Sequence, residues 1–175
     1  LAGLVISPDD PLLNLTARSA VVIDAASGQV IYERNKDERR FPASTTKLMT
    51  LILALEHSDM DDMVTGSSNA AGTEGSTLWL EAGEKIRMGD LLYGMMMHSG
   101  NDATVAVAEH IAGSVDKFAV MMTEKAHENG AVNTNFANAN GLPRDDHYTT
   151  AYDLAKITAY GYRVPGFEKI VSTKE

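Results

Sequence analysis

The run Phe41-Pro42-Ala43-Ser44-Thr45-Thr46-Lys47-Leu48-Met49-Thr50 carries the strongest local signals in the chain. Pro42 interrupts the segment before it, and Ser44 is of a residue type that caps helix N-termini by accepting an orphan backbone N–H. Leu48, Leu51, Ile52 and Leu55 then recur with the spacing of a helix face turned to a core. On that helix Lys47 lies one turn beyond Ser44, so hydroxyl and amine share a face. Burial favours the neutral amine, and a neutral amine can take a serine proton, so the pair reads as an activated nucleophile. Spacing alone leaves a second reading open, a helix cap beside a solvated lysine. The same Ser-x-x-Lys pattern recurs at Ser114/Lys117, after Gly113 and ahead of an amphipathic segment, and there the cap reading is expected.

Composition narrows the class. A chain of 175 residues with 44% hydrophobic and 22% charged residues suits one soluble globular domain. A net charge of −9, with no basic run longer than Arg39-Arg40, argues against a nucleic-acid partner. Cysteine is absent, which excludes disulfides, thiolate nucleophiles and cysteine metal sites. No stretch approaches the ~20 apolar residues of a membrane span. Leu1 to Ile6 is too short and lacks the basic leader of a signal peptide, and the start at Leu1 leads us to expect a processed or trimmed chain.

Residues 1–14 are expected to be a mobile, proline-containing lead-in. Ser19–Asp24 and Gln29–Glu33 flank Ala25-Ala26-Ser27-Gly28 and predict a β-hairpin. The helix after Pro42 should end between His57 and Asp62. Residues 63–75 are rich in Gly, Ser, Asn and Thr and are expected to be loop-like; 78–87 connects onward with a turn at Gly83. Leu91–Met97 predicts an apolar helix halted at Gly100, and its methionines read as adaptable core filling. Asp102 is expected to cap a helix that Gly113 stops, and Ser114 to open another ending at Gly130. Asn133–Asn140 shows no helical period. Thr150-Ala151-Tyr152-Asp153 reads as a capping box opening a helix to about Tyr162, and 166–172 as a short last helix. One hairpin and five or six helices make an α+β architecture, and an incomplete one, because a lone two-stranded hairpin is marginal.

Ser99-Gly100-Asn101 sits between two predicted helices, where a glycine turn can project serine and asparagine from a rigid base. Taken alone it also reads as a turn whose side chains satisfy backbone groups. Ser67-Ser68-Asn69 fits the same pattern without that setting and is taken as chance. None of the five histidines is paired at zinc-ligand spacing, so a metal site is not expected. His57, His110 and His127 fall near predicted helix ends, and His98 lies beside the candidate turn. No Gly-x-Ser-x-Gly elbow accompanies a serine triad.

The segment 41–50 closely resembles the active-site segment of the low-molecular-mass penicillin-binding proteins, the serine D-alanyl-D-alanine carboxypeptidases, and Ser-x-x-Lys is a signature of that wider group. His98-Ser99-Gly100-Asn101-Asp102-Ala103 is similar to the family's Ser-x-Asn motif. Ser19–Tyr32, Glu74-Gly75-Ser76, Asn140-Gly141-Leu142 and Tyr148–Asp153 resemble its other landmarks, so the likeness runs from about Leu15 to Glu175. The resemblance implies the helical subdomain and N-terminal hairpin of the DD-peptidase/β-lactamase-like fold over residues 15–175. It implies that Ser44 is the acylated nucleophile and Lys47 its base. Ser99 would relay the proton and Asn101 would bind the substrate's peptide group. It implies no cofactor. The expected partners are a stem peptide ending in D-Ala-D-Ala and the β-lactams, outside the cytoplasm of a bacterium, with room for a membrane anchor beyond these residues.

The family's third motif, Lys-Thr-Gly on a strand across the cleft, does not occur in this chain, whose last residues are Ser172-Thr173-Lys174-Glu175. The chain is therefore expected to be the N-terminal part of a longer protein, short of the substrate-carboxylate anchor and half of the oxyanion hole. Two other readings stay in view. A class A β-lactamase shares the first two motifs but needs a glutamate-held water, and no Glu-x-x-Leu-Asn-like segment follows Asn101. A catalytically incompetent penicillin-binding or sensor fragment would acylate without turnover, or do neither.

Overall fold

The computed structural model describes residues 15–174; the expected lead-in lies outside the described residues. The predicted hairpin is present. Strand β1 (Ala20–Ile23) pairs antiparallel with β2 (Val30–Arg34), and the register shifts between Val22 and Ile23. Its turn closes on Asp24, whose carboxylate accepts the Ser27 N–H at 2.7 Å, while Gly28 takes a φ of 74°. The central helix α1 (Lys47–His57) ends where the sequence predicts. It is not the one-faced helix that its spacing indicates. Met49 through Ala54 are all buried, so neighbours surround it on every side, as suits the middle of a fold.

Residues 63–75 depart from the loop expectation. Met63–Thr65 forms β3, which pairs antiparallel with β4 (Lys85–Arg87), and Ser67 caps a one-turn helix α2 (Ser68–Ala71) by accepting the Ala70 N–H at 3.0 Å. Three-residue strands are too short for alternation to register above a polar composition. The remaining helices are α3 (Met88–Met97), α4 (Asn101–Ala112), α5 (Val115–Glu128), α6 (Ala151–Gly161) and α7 (Phe167–Val171). Helix α4 packs against α1, α2, α3 and α5, with Ala103, Ala106, Val107 and Ala108 at 0–1% exposure; small side chains allow that close approach. Helix α6 joins α1 to the hairpin by packing on β1. Of the four methionines expected to fill the core, Met88 and Met95 do so and Met96 packs against it half-buried, whereas Met97, at the end of α3, is 42% exposed.

Capping is mixed. Ser114 accepts the Lys117 N–H at 3.3 Å and Lys117 is exposed, so the second Ser-x-x-Lys is the ordinary cap. Thr150 caps α6 through the Asp153 N–H at 3.0 Å, but Asp153 does not close the box: its carboxylate takes the Asn133 N–H and the Thr134 hydroxyl instead, at 2.7 and 2.9 Å. Asp102 is not the cap of α4, a position held by Gly100, and its role is described below.

Candidate active site

Ser44 does not cap a helix. It lies inside a 3-10 turn (Ala43–Thr46) that leads directly into α1, and no side-chain cap bond is made there. The turn opens on Ala43, a non-glycine residue at φ 49°, and this leaves Ser44 exposed while Thr46 and Lys47 are buried. The loop 137–147 is pressed against the turn. A Cβ at Gly141, where φ is 94°, would stand 1.9 Å from the Ala43 carbonyl oxygen, so only glycine fits.

Lys47 is 2% exposed, and its Nζ donates to three neutral oxygens: Ser44 Oγ at 3.4 Å, Asn101 Oδ1 at 2.7 Å and the Asn140 carbonyl at 3.0 Å. Burial without a carboxylate partner disfavours the ammonium and lowers its pKa to about 8. In the neutral amine two N–H bonds can stay on Asn101 and Asn140 while the lone pair faces Ser44. Ser99 completes the cluster, its Oγ donating to Ser44 Oγ at 3.0 Å. Ser99 sits at φ 56° in the turn between α3 and α4, the strain expected where a backbone aims a side chain. Asn101 is 7% exposed; beyond its contact with Lys47, its Nδ2 donates to the Glu74 carbonyl at 2.8 Å. The structure thus brings together all four predicted residues, Ser44, Lys47, Ser99 and Asn101.

Two structural supports escaped the sequence reading. His147, at 0% exposure, has its Nδ1 accepting the Ala137 N–H at 2.9 Å, which leaves Nε2–H to donate to Thr46 Oγ1 at 2.8 Å. Burial pushes its pKa down to about 4, so the ring is neutral and of one tautomer. Asp102, 1% exposed, accepts the backbone N–H groups of Leu78 and Leu80 and stitches the 74–80 loop to the start of α4. No local spacing marks either residue, because their partners lie 101 and 22–24 residues away. The other histidines behave as expected: His57, His110 and His127 occupy the last turns of α1, α4 and α5. His98 is exposed and follows α3.

A buried lysine beside a serine, with a Ser-x-Asn turn facing both, is the arrangement that an activated serine nucleophile requires. The family model of D-alanyl-D-alanine carboxypeptidases matches residues 5–175, and the chain belongs to that family. It is 42% identical over 164 residues to the D-alanyl-D-alanine carboxypeptidase DacF of Bacillus subtilis, covering 91% of this chain and 42% of the relative. It is 38% identical over 169 residues to DacA of Haemophilus influenzae, covering 91% and 43%. Among solved structures, the carboxypeptidase DacD from Francisella tularensis superimposes with a TM-score of 0.89 at 38% identity, over 99% of this chain and 43% of that one. Penicillin binding protein 5 from Haemophilus influenzae does so with a TM-score of 0.85 at 36% identity, over 94% and 49%. The chain therefore spans less than half the length of these relatives, and its α+β fold is the corresponding part of theirs.

Proposed function

We propose that residues 15–175 form the serine-bearing part of a D-Ala-D-Ala carboxypeptidase domain, acting outside the bacterial cytoplasm on peptidoglycan stem peptides. The observation that carries this is Lys47, buried among neutral oxygens with its Nζ 3.4 Å from Ser44 Oγ. The neutral amine takes the Ser44 proton, directly or through the Ser99 hydroxyl, as Ser44 Oγ attacks the carbonyl of the penultimate D-alanine. The tetrahedral adduct collapses, the C–N bond breaks, and the proton passes to the departing D-alanine amine. An ester on Ser44 remains. Water, deprotonated by the same lysine, hydrolyses it and restores the hydroxyl. Asn101, with one Nδ2–H engaged by Glu74, has the other to offer the substrate's peptide carbonyl. A β-lactam presents a strained amide to the same hydroxyl and is captured as an acyl-enzyme. No residue of these 175 is assigned to the substrate's terminal carboxylate, since Lys-Thr-Gly does not occur among them.

The test is intact mass after incubation of the full-length protein with a penicillin. One adduct mapped to Ser44, absent from Ser44→Ala, is the expected result; an adduct that survives Ser44→Ala removes the proposal.

A further inference from the structure

Among the described residues, four other than glycine adopt left-handed backbone: Asn35, Ala43, Trp79 and Ser99. Asparagine tolerates that conformation, and Ala43 and Ser99 shape the Ser44 site. Trp79 has no such account. Its φ is 62°, rare for a bulky residue, yet it is 86% exposed, so packing of the ring does not offset the strain.

The backbone on either side does. The Asp102 carboxylate accepts the Leu78 N–H at 2.9 Å and the Leu80 N–H at 3.1 Å. Leu80 is buried, and Leu78 fills a slot that exists only because Gly94 and Gly100 lack side chains; a Cβ at Gly94 would lie 2.4 Å from it. The Ser76 and Glu74 carbonyls accept the backbone and side-chain N–H groups of Asn101 at 2.7 and 2.8 Å. The loop is thus fastened to Asn101 and Asp102, which follow Ser99, and it carries the solvent-exposed Trp79 between two of these anchors.

We propose that Trp79 is a stacking platform for the glycan chain of peptidoglycan, which would hold the polymer while its stem peptide enters the Ser44 cleft. The inference rests on the carboxypeptidase reading above. Charge selects the occupant. Glu74, Glu81 and Glu84 are exposed along this stretch, offset by Lys85, and the whole chain carries −9. An anionic stem peptide or an anionic lipid surface is repelled by such surroundings. An uncharged sugar ring lays its C–H face on the indole and offers its hydroxyls to the carboxylates. The fastened backbone fixes where the ring leaves the loop, so binding has less chain freedom to remove.

The experiment measures binding of uncharged β-1,4-linked N-acetylglucosamine oligomers as the bare glycan, and separately KM for a free stem peptide and for the same peptide attached to its glycan, on the full-length protein. Three variants are compared: Trp79→Phe, Trp79→Ala and Trp79→Gly, the last of which removes the ring while relieving the backbone strain. Saturable binding of bare glycan is expected, weakened about tenfold or more in Trp79→Ala and Trp79→Gly and largely kept in Trp79→Phe. The KM for glycan-linked peptide should rise by the same factor relative to that for free peptide. No binding of bare glycan, unaltered binding in Trp79→Gly, or an equal rise in both KM values overturns the proposal. Covalent capture of a penicillin in the same samples separates the two readings: without it the carboxypeptidase reading fails, and with it a failure of glycan binding belongs to Trp79 alone.

Discussion

His147 Nε2 lies 2.8 Å from Thr46 Oγ1 across 101 residues of sequence, and this one hydrogen bond ties the Ser44 turn to the loop that carries Asn140 and Gly141. The ring is aimed at Thr46 by the Ala137 N–H on its Nδ1, a bond that requires the neutral ring. Protonation would place a second N–H on Nδ1, facing the Ala137 N–H that it now accepts.

The folded pKa of about 4 lies below the ordinary value of 6.5, so between these limits the unfolded chain binds more protons than the folded one. Stability from this group is complete above about pH 6.5, falls with pH through the window, and levels off below about pH 4. The contribution is on the order of 3 kcal/mol. Urea unfolding of wild type and His147→Gln at stepped pH checks it: the difference between the two should shrink on going from pH 7 to pH 4. A constant difference would show that the ring's protonation is not involved.

In the proposed mechanism Lys47 sets the pH dependence of acylation. Its amine must be neutral to accept a proton, and its pKa is lowered to about 8 by burial. The rate of penicillin acylation should therefore rise with pH, about tenfold per unit well below pH 8, and flatten above it. Lys47→Arg keeps a cation that does not deprotonate, and its acylation should fall by roughly 10²–10⁴-fold at all pH values. Stopped-flow acylation kinetics give both results.

Gly141→Ala places a methyl 1.9 Å from the Ala43 carbonyl oxygen at a backbone φ of 94°. Strain and overpacking together should cost about 2–4 kcal/mol. Because the clash falls on the residue before Ser44, acylation should slow even in molecules that remain folded. Chemical denaturation and acylation rate, measured on the same preparation, separate the two effects.

Asp102→Ala leaves the backbone N–H groups of half-buried Leu78 and buried Leu80 without their acceptor. A loss of about 2–4 kcal/mol is expected. Hydrogen exchange should show it locally, with the amides of residues 78 and 80 losing protection before those of α1. Asp102→Asn keeps one acceptor oxygen and should fall between the two.

What the amino-acid sequence by itself determined is local. Ser114 and Thr150 cap their helices because the bonds they make reach three residues along the chain. The β1–β2 hairpin forms across a short turn, and Ser44 meets Lys47 because three residues make a helical turn. The family motifs 41–50 and 98–103 are words within such stretches, which is why the candidate site was legible before the fold. Tertiary structure decided the rest. Whether Ser44 capped a helix or stood in a 3-10 turn behind the strained Ala43 depended on a loop nearly 100 residues on, since Gly141 and Asn140 form the wall behind it. Lys47 is a weakened cation because Asn101 and Asn140 reach it from 54 and 93 residues away and, among the described residues, no carboxylate does. His147 and Asp102 were read as neither lock nor stitch, because side-chain bonds between distant segments leave no period in the sequence. Burial and partner choice, which set charge state and strain, are properties of the packed chain.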